Sequence, residues 1–238
     1  MSWYGYSEYE TVGSKKIKAA KKLKQLKKKN PNISPVVIEG TKVAKTWWGI
    51  SWCKNLESYA DFANRIGRGR SYVKNGFVLD LQIKKGIITA QVFGSGSSLY
   101  KVKISIDPLN EDNKTAIVKN VGQKIDNIED LVKGNFPKAL GDIFLTQRKG
   151  LFPSPDEINV ACSCPDYATI CKHVAAVLYG IGARLDTDPL LLFLLRGVDV
   201  DVFIKKSIEE KMNSMLENAQ SKTSRAIEDA NIHDLFRL

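Results

Sequence analysis

Two short pairs of metal-binding residues lie close together in the second half of the chain. Cys162 and Cys164 form a Cys-x-Cys pair, and Cys171 and His173 form a Cys-x-His pair after an intervening loop of six residues. Thiolates and imidazoles are ligands that zinc favours, and a loop of this length lets the two pairs turn to face each other. The spacing therefore predicts a tetrahedral Cys3His site for one Zn²⁺ ion.

The number of ligands indicates what the metal does. Four protein ligands fill the coordination sphere of zinc and leave no position for water or substrate, so we expect a structural zinc rather than a catalytic one. Three buried or redox-active cysteines beside an unrelated histidine are the alternative, but four ligands rarely cluster in this way by accident. A disulfide framework is disfavoured, because four cysteines are few for a chain of 238 residues.

Groups that could perform catalysis are sparse elsewhere. The chain has two histidines, of which His173 is assigned to zinc and His233 lies near the C-terminus. We find no glycine-rich phosphate loop, nucleophile motif or pair of catalytic carboxylates in the sequence. Cys53 lies in an apolar helical pattern, where a buried thiol is expected and a catalytic role is the minor alternative. The sequence therefore predicts a protein that is not an enzyme.

The residues around the ligands predict how each one is positioned. Residues 157–161 are predicted to form a short strand that ends at the first pair, and Pro165 and Asp166 then turn the chain. An apolar run with helical spacing begins at His173 and continues to Leu185. The first pair would come from the end of a strand, Cys171 from a loop and His173 from the start of a helix.

This arrangement resembles a SWIM-type zinc finger of the kind found in prokaryotic proteins. The similarity runs through Ala161–Tyr167, Cys171–Tyr179 and Asp188–Gly197, and the N-terminal half of the same proteins is similar to Trp47–Cys53 and Arg68–Gly76. The resemblance implies a zinc-binding module that contacts DNA or proteins. Because some relatives are associated with SWI/SNF-type ATPases, it also implies such an ATPase as a candidate protein partner.

Positive charge is concentrated near the N-terminus. The whole chain carries +10, and residues 1–70 alone carry +10, against +4 for residues 71–150 and −4 for residues 151–238. Nine of the fifteen residues between positions 15 and 29 are lysines. A lysine run is most often a solvated tail, but this density favours the neutralisation of phosphates. The predicted nucleic-acid contacts are Lys15, Lys16, Lys18, Lys21, Lys22, Lys24, Lys27, Lys28, Lys29, Arg65, Arg68 and Arg70.

The expected partner is a nucleic acid, with DNA favoured over RNA. We expect binding without sequence specificity, since no base-reading motif is visible. Trp47, Trp48 and Trp52 could stack on bases, but core packing is the favoured interpretation.

A second hypothesis is a protein-interaction adaptor with no direct nucleic-acid role. It is favoured by the acidic C-terminal part, the apolar segment Leu190–Leu195 and an apolar tail. For Leu190–Leu195 itself, a buried helix is expected more than an interface.

Hydrophobic periodicity predicts an α+β protein, with a small antiparallel sheet covered by a helix and then a mainly helical region that carries the finger. Four segments are expected along the chain. The first is an aromatic and lysine-rich arm at 1–35, which repulsion between its lysines should keep frayed when it is alone. The second, 36–110, holds a helix at 46–66 and a three-stranded meander. The third is a helical region at 111–216 with the finger at about 157–185, and the fourth is a polar linker with an apolar tail at 217–238.

Further helices are predicted at 114–133, 137–147 and 202–216. No apolar run approaches the length of a membrane span, and no export segment is visible at the N-terminus. A soluble cytoplasmic protein is therefore expected.

Overall fold

The computed structural model describes residues 10–58, 63–124, 138–146 and 148–220. Within these residues the protein has an α+β fold built on one antiparallel sheet of four strands, in the order β1-β2-β3-β4. The strands are β1 (Val78–Lys84), β2 (Ile87–Phe93), β3 (Leu99–Ile106) and β4 (Ile158–Cys162). The helices are α1 (Val12–Lys29), α2 (Trp47–Glu57), α3 (Ala63–Lys74), α4 (Glu111–Lys124), α5 (Gly141–Leu145), α6 (Lys172–Thr187), α7 (Leu191–Leu195) and α8 (Val200–Gln220).

The predicted meander forms, and the finger region adds a fourth strand to it. β3 pairs with β4, so that Val102 lies opposite Cys162 and Ile106 lies opposite Ile158. The sequence predicted β4 as a strand but not as a member of this sheet, because pairing between distant segments leaves no local pattern. The sheet therefore has four strands rather than three, and the first metal-binding pair begins at its edge.

The helix that covers the sheet is α6, not the helix expected before the meander. α6 packs against all four strands and also against α2 and α3. Eleven of its sixteen residues are buried, because its apolar surface extends around most of the helix. The prediction of one helix at 46–66 was wrong, since α2 ends at Glu57 and a separate helix, α3, runs from Ala63 to Lys74.

Two tryptophans hold α2 against α6. The indole Nε1 of Trp52 donates to the carbonyl oxygen of Leu178 at 2.9 Å, and that of Trp48 donates to the carbonyl oxygen of Leu185 at 2.8 Å. Trp52 is fully buried, and Trp47 and Trp48 pack against the same core. Core packing, the favoured interpretation of these residues, is confirmed.

The lysine-rich segment forms a docked helix where a frayed arm was expected. Ala19 of α1 is buried in a second, smaller cluster with Phe77, Leu79 and Phe93 of the sheet region. Leu23 and Leu26 pack against this cluster. The apolar stripe is narrow, but its partner surface compensates for the repulsion between lysines, and that surface could not be identified from the local sequence.

The remaining helices extend the fold beyond the finger. α4 packs against α8, and α7 buries Leu192, Phe193 and Leu195, which confirms the buried helix expected there. α8 continues to Gln220, so residues 217–220 are helical rather than a linker. The predicted helix at 114–133 is observed as α4, and α5 lies within the predicted 137–147, but residues 125–137 and 147 lie outside the described part of the chain.

The aromatic start of the predicted arm and the predicted apolar tail, with His233, also fall outside the described residues. Among the helices that are described, none combines the length and the apolar character needed to cross a membrane.

Candidate metal centre

The four predicted ligands converge on one point. The ligand atoms of Cys162, Cys164, Cys171 and His173 all lie within 4.8 Å of one another. His173 Nδ1 lies 3.9 Å from Cys162 Sγ and 4.0 Å from Cys171 Sγ. A tetrahedral zinc with bonds of about 2.0–2.3 Å separates neighbouring ligand atoms by roughly 3.5–3.8 Å. The group can therefore hold one zinc ion, with the histidine bound through Nδ1.

The secondary structure positions the ligands as the sequence predicts. Cys162 ends β4, Cys171 is the N-cap residue of α6, and His173 lies in the first turn of that helix. The pairing with β3 extends past Cys162, because the Ser163 amide donates to the carbonyl of Lys101 at 3.0 Å and the Lys101 amide donates to Ser163 Oγ at 2.9 Å. The first ligand pair is thus held by hydrogen bonds to the sheet, and the second by the start of α6.

The cysteine side chains perturb each other's ionisation strongly when no metal is bound. Hydrogen bonding from the Cys162 thiol, together with that from His173 and from the Val174 amide, lowers the pKa of Cys171 below its ordinary value. The same interaction with Cys171, added to burial, raises the pKa of Cys162 far above its usual range. Zinc would bind these residues as thiolates, so metal binding would release the protons that the thiols carry.

His173 is oriented by aromatic rings. The ring of Tyr100 stacks on it with centroids 4.3 Å apart, and Tyr72 meets it edge-on at 5.6 Å. A methyl group at Gly94 would lie 2.1 Å from the Tyr100 ring, so only glycine leaves room for this stack. The buried Nε2 of His173 has no hydrogen-bond partner within the described residues. The packing of Tyr100 and Tyr72 therefore fixes the orientation of the imidazole ring.

Sequence reasoning did not identify these neighbours of the histidine. The alternation along β3 placed Tyr100 on the buried face, and that was the available signal for it. Tyr72 lies in the segment Arg68–Gly76 that shares the resemblance, but no pattern placed it beside the histidine, and Gly94 lies in a turn outside that segment.

The loop between the two ligand pairs is tied to α3 by an ion pair. Arg65 Nε lies 2.9 Å from Asp166 Oδ2, and the two side chains are 21% and 12% exposed. Asp166 also accepts a hydrogen bond from the Ala168 amide at 3.3 Å. Arg65, predicted to contact nucleic acid, is thus placed against the finger loop, where it holds the loop to the body of the protein.

The other two predicted arginines have different surroundings on the same helix. Arg68 is exposed. Arg70 pairs with Glu57, and its Nε donates to the hydroxyl of Tyr179 at 3.2 Å. Of the three predicted arginines, Arg68 alone is exposed with no ion pair among the described residues.

The nine predicted lysines of α1 are not equivalent. Lys15 is buried, and its Nζ donates to the Tyr72 hydroxyl at 2.7 Å and lies 4.1 Å from the centre of that ring. Because Tyr72 also contacts His173, two side chains connect α1 with the metal centre. Lys22 is half-buried, and Lys18 pairs with Glu10 at 2.8 Å. The exposed lysines are Lys16, Lys18, Lys21, Lys24, Lys27, Lys28 and Lys29.

The fourth cysteine lies apart from the metal centre. Cys53 is buried between α2 and α6, and burial raises the pKa of its thiol to about 12. The buried thiol expected from the sequence is confirmed, and its raised pKa makes it a poor nucleophile.

Comparison with known proteins places the four ligands in a family. Residues 150–180 match the SWIM zinc finger family, and the ligands fall inside the matched segment. This segment is similar to a SWIM zinc finger. The chain is also similar to "Uncharacterized protein Rv2102" of Mycobacterium tuberculosis (strain ATCC 25618 / H37Rv), with 34% identity over 156 residues. That alignment covers 65% of this chain and 56% of the relative, so the chain spans little more than half the relative's length. No solved structure matches.

The SWIM finger is part of the central core of this protein rather than an appended module. β4 is the edge strand of the sheet, and α6 supplies the fully buried residues Ala176, Val177 and Ile181 to the main cluster. Four protein ligands close the coordination sphere in the manner of structural zinc. The geometry of the metal centre therefore affects the layer formed by the sheet and α6, against which α2 and α3 pack.

Proposed function

We propose that this protein is a non-catalytic, zinc-stabilised accessory protein that binds nucleic acid, DNA in preference to RNA, through α1 and the adjacent part of α3. The observation that carries the proposal is the docking of α1. Seven exposed lysines lie on a helix of eighteen residues that contains no acidic residue, and that helix is held against the folded body by Lys15, Ala19 and Leu23.

Docking changes what the lysines can do. A flexible tail loses much conformational freedom when it binds a phosphate backbone, whereas a docked helix presents its charges on a surface that is already ordered. The exposed lysines repel one another, and phosphates relieve that repulsion while releasing counterions from the nucleic acid. Arg68 adds an exposed positive charge on α3. These side chains would contact the phosphate backbone of the nucleic acid and not the bases, so we expect binding without sequence specificity.

Replacing Lys21, Lys24 and Lys28 by glutamine is expected to weaken duplex binding steeply. For each phosphate that the variant no longer neutralises, the slope of log K against log salt should become less negative by about 0.9, which gives a change of roughly 2–3 for the triple variant. Fluorescence anisotropy with labelled DNA and RNA, over a range of salt concentrations, measures this slope. The matched control replaces the exposed lysines Lys119, Lys138 and Lys205, which lie outside α1.

Two results of that titration would contradict the proposal. One is the absence of binding to wild-type protein at low salt. The other is an equal loss of affinity in the α1 variant and the control variant, since this would reflect net charge and not the position of the lysines.

A second candidate function is a protein-interaction adaptor, for example a subunit that works with a SWI/SNF-type ATPase. One observation favours it. α8 exposes Met212, Met215 and Leu216, whose exposed fractions are 56%, 56% and 60%. Methionine adapts its shape to different partners, and clustered exposed apolar side chains are typical of protein-binding surfaces. The two functions are compatible, because α1 and α8 do not share this surface.

Affinity purification from the native cell, with and without nuclease, separates the two candidates. A partner that survives nuclease treatment and is lost when Met212 and Met215 are replaced by glutamine supports the adaptor. A partner that nuclease removes supports nucleic acid as the bridge. We propose a cytoplasmic location as well, because a reducing compartment keeps zinc-binding thiols and a free cysteine such as Cys53 reduced.

A further inference from the structure

A concave, positively charged surface lies where α2, α3 and α6 meet the segment before α2. The cavity has a volume of about 280 Å³. Lys42, Lys54, Arg70 and Lys74 line it, and Glu57 is the one carboxylate among its described lining residues. None of these residues belongs to α1, to the sheet or to the metal centre.

The single carboxylate is already engaged. Glu57 pairs with Arg70, and its Oε1 accepts a hydrogen bond from the Tyr179 hydroxyl at 2.6 Å. Burial raises the pKa of Tyr179 above its ordinary value, so the phenol stays neutral and adds no negative charge to the cavity. Among the described residues, Lys42, Lys54 and Lys74 have no ion-pair partner. Three uncompensated positive charges therefore face one concavity.

The arginine in this cavity is held in a fixed orientation. Arg70 Nη2 donates to the Tyr179 hydroxyl at 3.0 Å and its guanidinium lies 5.4 Å from the centre of the Tyr179 ring. Tyr179 itself is 3% exposed, so this support is rigid. Arg70 donates hydrogen bonds to Tyr179 and Glu57 through Nε and Nη2. Within the described residues, the two hydrogens on Nη1 of Arg70 have no acceptor. A planar guanidinium with free donors is well suited to an oxyanion.

We propose that this cavity is a phosphate-binding site, in which Arg70 orients the phosphate group and Lys42, Lys54 and Lys74 neutralise it. Clefts lined by charges of one sign concentrate the electric field, and a bound oxyanion removes the repulsion between the lysines. A phosphate or diphosphate group is small enough to enter a concavity of about 280 Å³. The phosphate could be a free ion or the terminal group of a nucleic acid.

Isothermal titration calorimetry with pyrophosphate measures the affinity and the number of sites. We expect one site per chain in the wild-type protein and an affinity at least about tenfold lower in the Lys54→Gln/Lys74→Gln variant, since this variant lacks two charge-assisted hydrogen bonds to the phosphate. An Arg70→Lys variant keeps the charge but not the planar fork, and it should also bind more weakly. Equal affinity in the wild type and both variants, or no binding to the wild type, would overturn the proposal.

Controls separate this inference from the proposed function and identify the source of the phosphate. The α1 triple variant and a Lys119→Gln/Lys205→Gln variant should bind pyrophosphate as the wild type does, whatever becomes of their DNA binding. Oligonucleotides with a 5′-phosphate and a 5′-hydroxyl are then compared. Tighter binding of the phosphorylated form, abolished in Lys54→Gln/Lys74→Gln, assigns the site to nucleic-acid ends. Equal binding of the two oligonucleotides, with pyrophosphate still bound, assigns it to a free phosphate.

Discussion

Replacing Cys171 by serine is expected to unfold the core of the protein rather than a peripheral module. Cys171 begins α6, the helix that packs against all four strands and against α2 and α3. Structural zinc contributes an apparent binding free energy of about 10–16 kcal/mol in small zinc-finger peptides at pH 7. That is as large as the whole stability of an ordinary domain, which is about 5–15 kcal/mol. Thermal unfolding followed by circular dichroism should therefore show no cooperative transition in this variant.

Cys53 provides the matched control for that experiment. It is a buried cysteine packed against the same helix, but it is no metal ligand. The Cys53→Ala variant should retain bound zinc and a cooperative transition, and a chelator should abolish that transition as it does in the wild type. A Cys171→Ser protein that melts like the Cys53→Ala protein would show that the metal does not stabilise the core.

Replacing Arg196 by methionine is expected to lower the free energy of unfolding by about 3–5 kcal/mol, because it breaks a buried ion pair and leaves one partner without its counter-charge. Arg196 is fully buried. Its Nη1 donates to the Asp107 carbonyl and its Nη2 to Glu157 Oε1, both at 2.5 Å. The side chain thus joins the end of β3 to the residue before β4, at the entrance to the finger. Urea denaturation measures the decrease.

Arg148 offers a control with the same change of side chain. Its Nη2 lies 3.3 Å from Asp156, but the two side chains are 76% and 58% exposed. Exposed pairs of this kind contribute at most about 1 kcal/mol, so Arg148→Met should be nearly neutral. Similar decreases in the two variants would mean that Arg196 contributes no more than a surface charge.

The parts of the fold that the sequence predicted are those with a local signal. The spacing of Cys162, Cys164, Cys171 and His173 specifies a metal site because zinc requires ligands of certain types at short range. Alternation of apolar and polar residues located the meander, because the side chains of a strand alternate between two faces. The resemblance to a SWIM finger rested on the same local residues.

The parts that the sequence did not predict depend on contacts between distant segments. The residue pattern of β4 predicts a strand but does not determine which strand it pairs with. The apolar residues of α6 predict a buried helix but do not determine which elements it packs against. Arginine and lysine are usually surface residues, yet Arg65 forms an ion pair with Asp166 and Lys15 donates a hydrogen bond to the Tyr72 hydroxyl. Arg196 follows an apolar segment and resembles an ordinary helix-terminal charge, and only the fold shows that Glu157 lies beside it.

X-ray absorption spectroscopy at the zinc edge of the purified protein tests most directly whether a closed metal centre holds this fold together. The structure predicts one zinc per chain, with three sulfur atoms at about 2.3 Å and one nitrogen at about 2.0 Å. An oxygen in the first coordination shell, fewer than three sulfur atoms, or the absence of zinc from folded protein would contradict it.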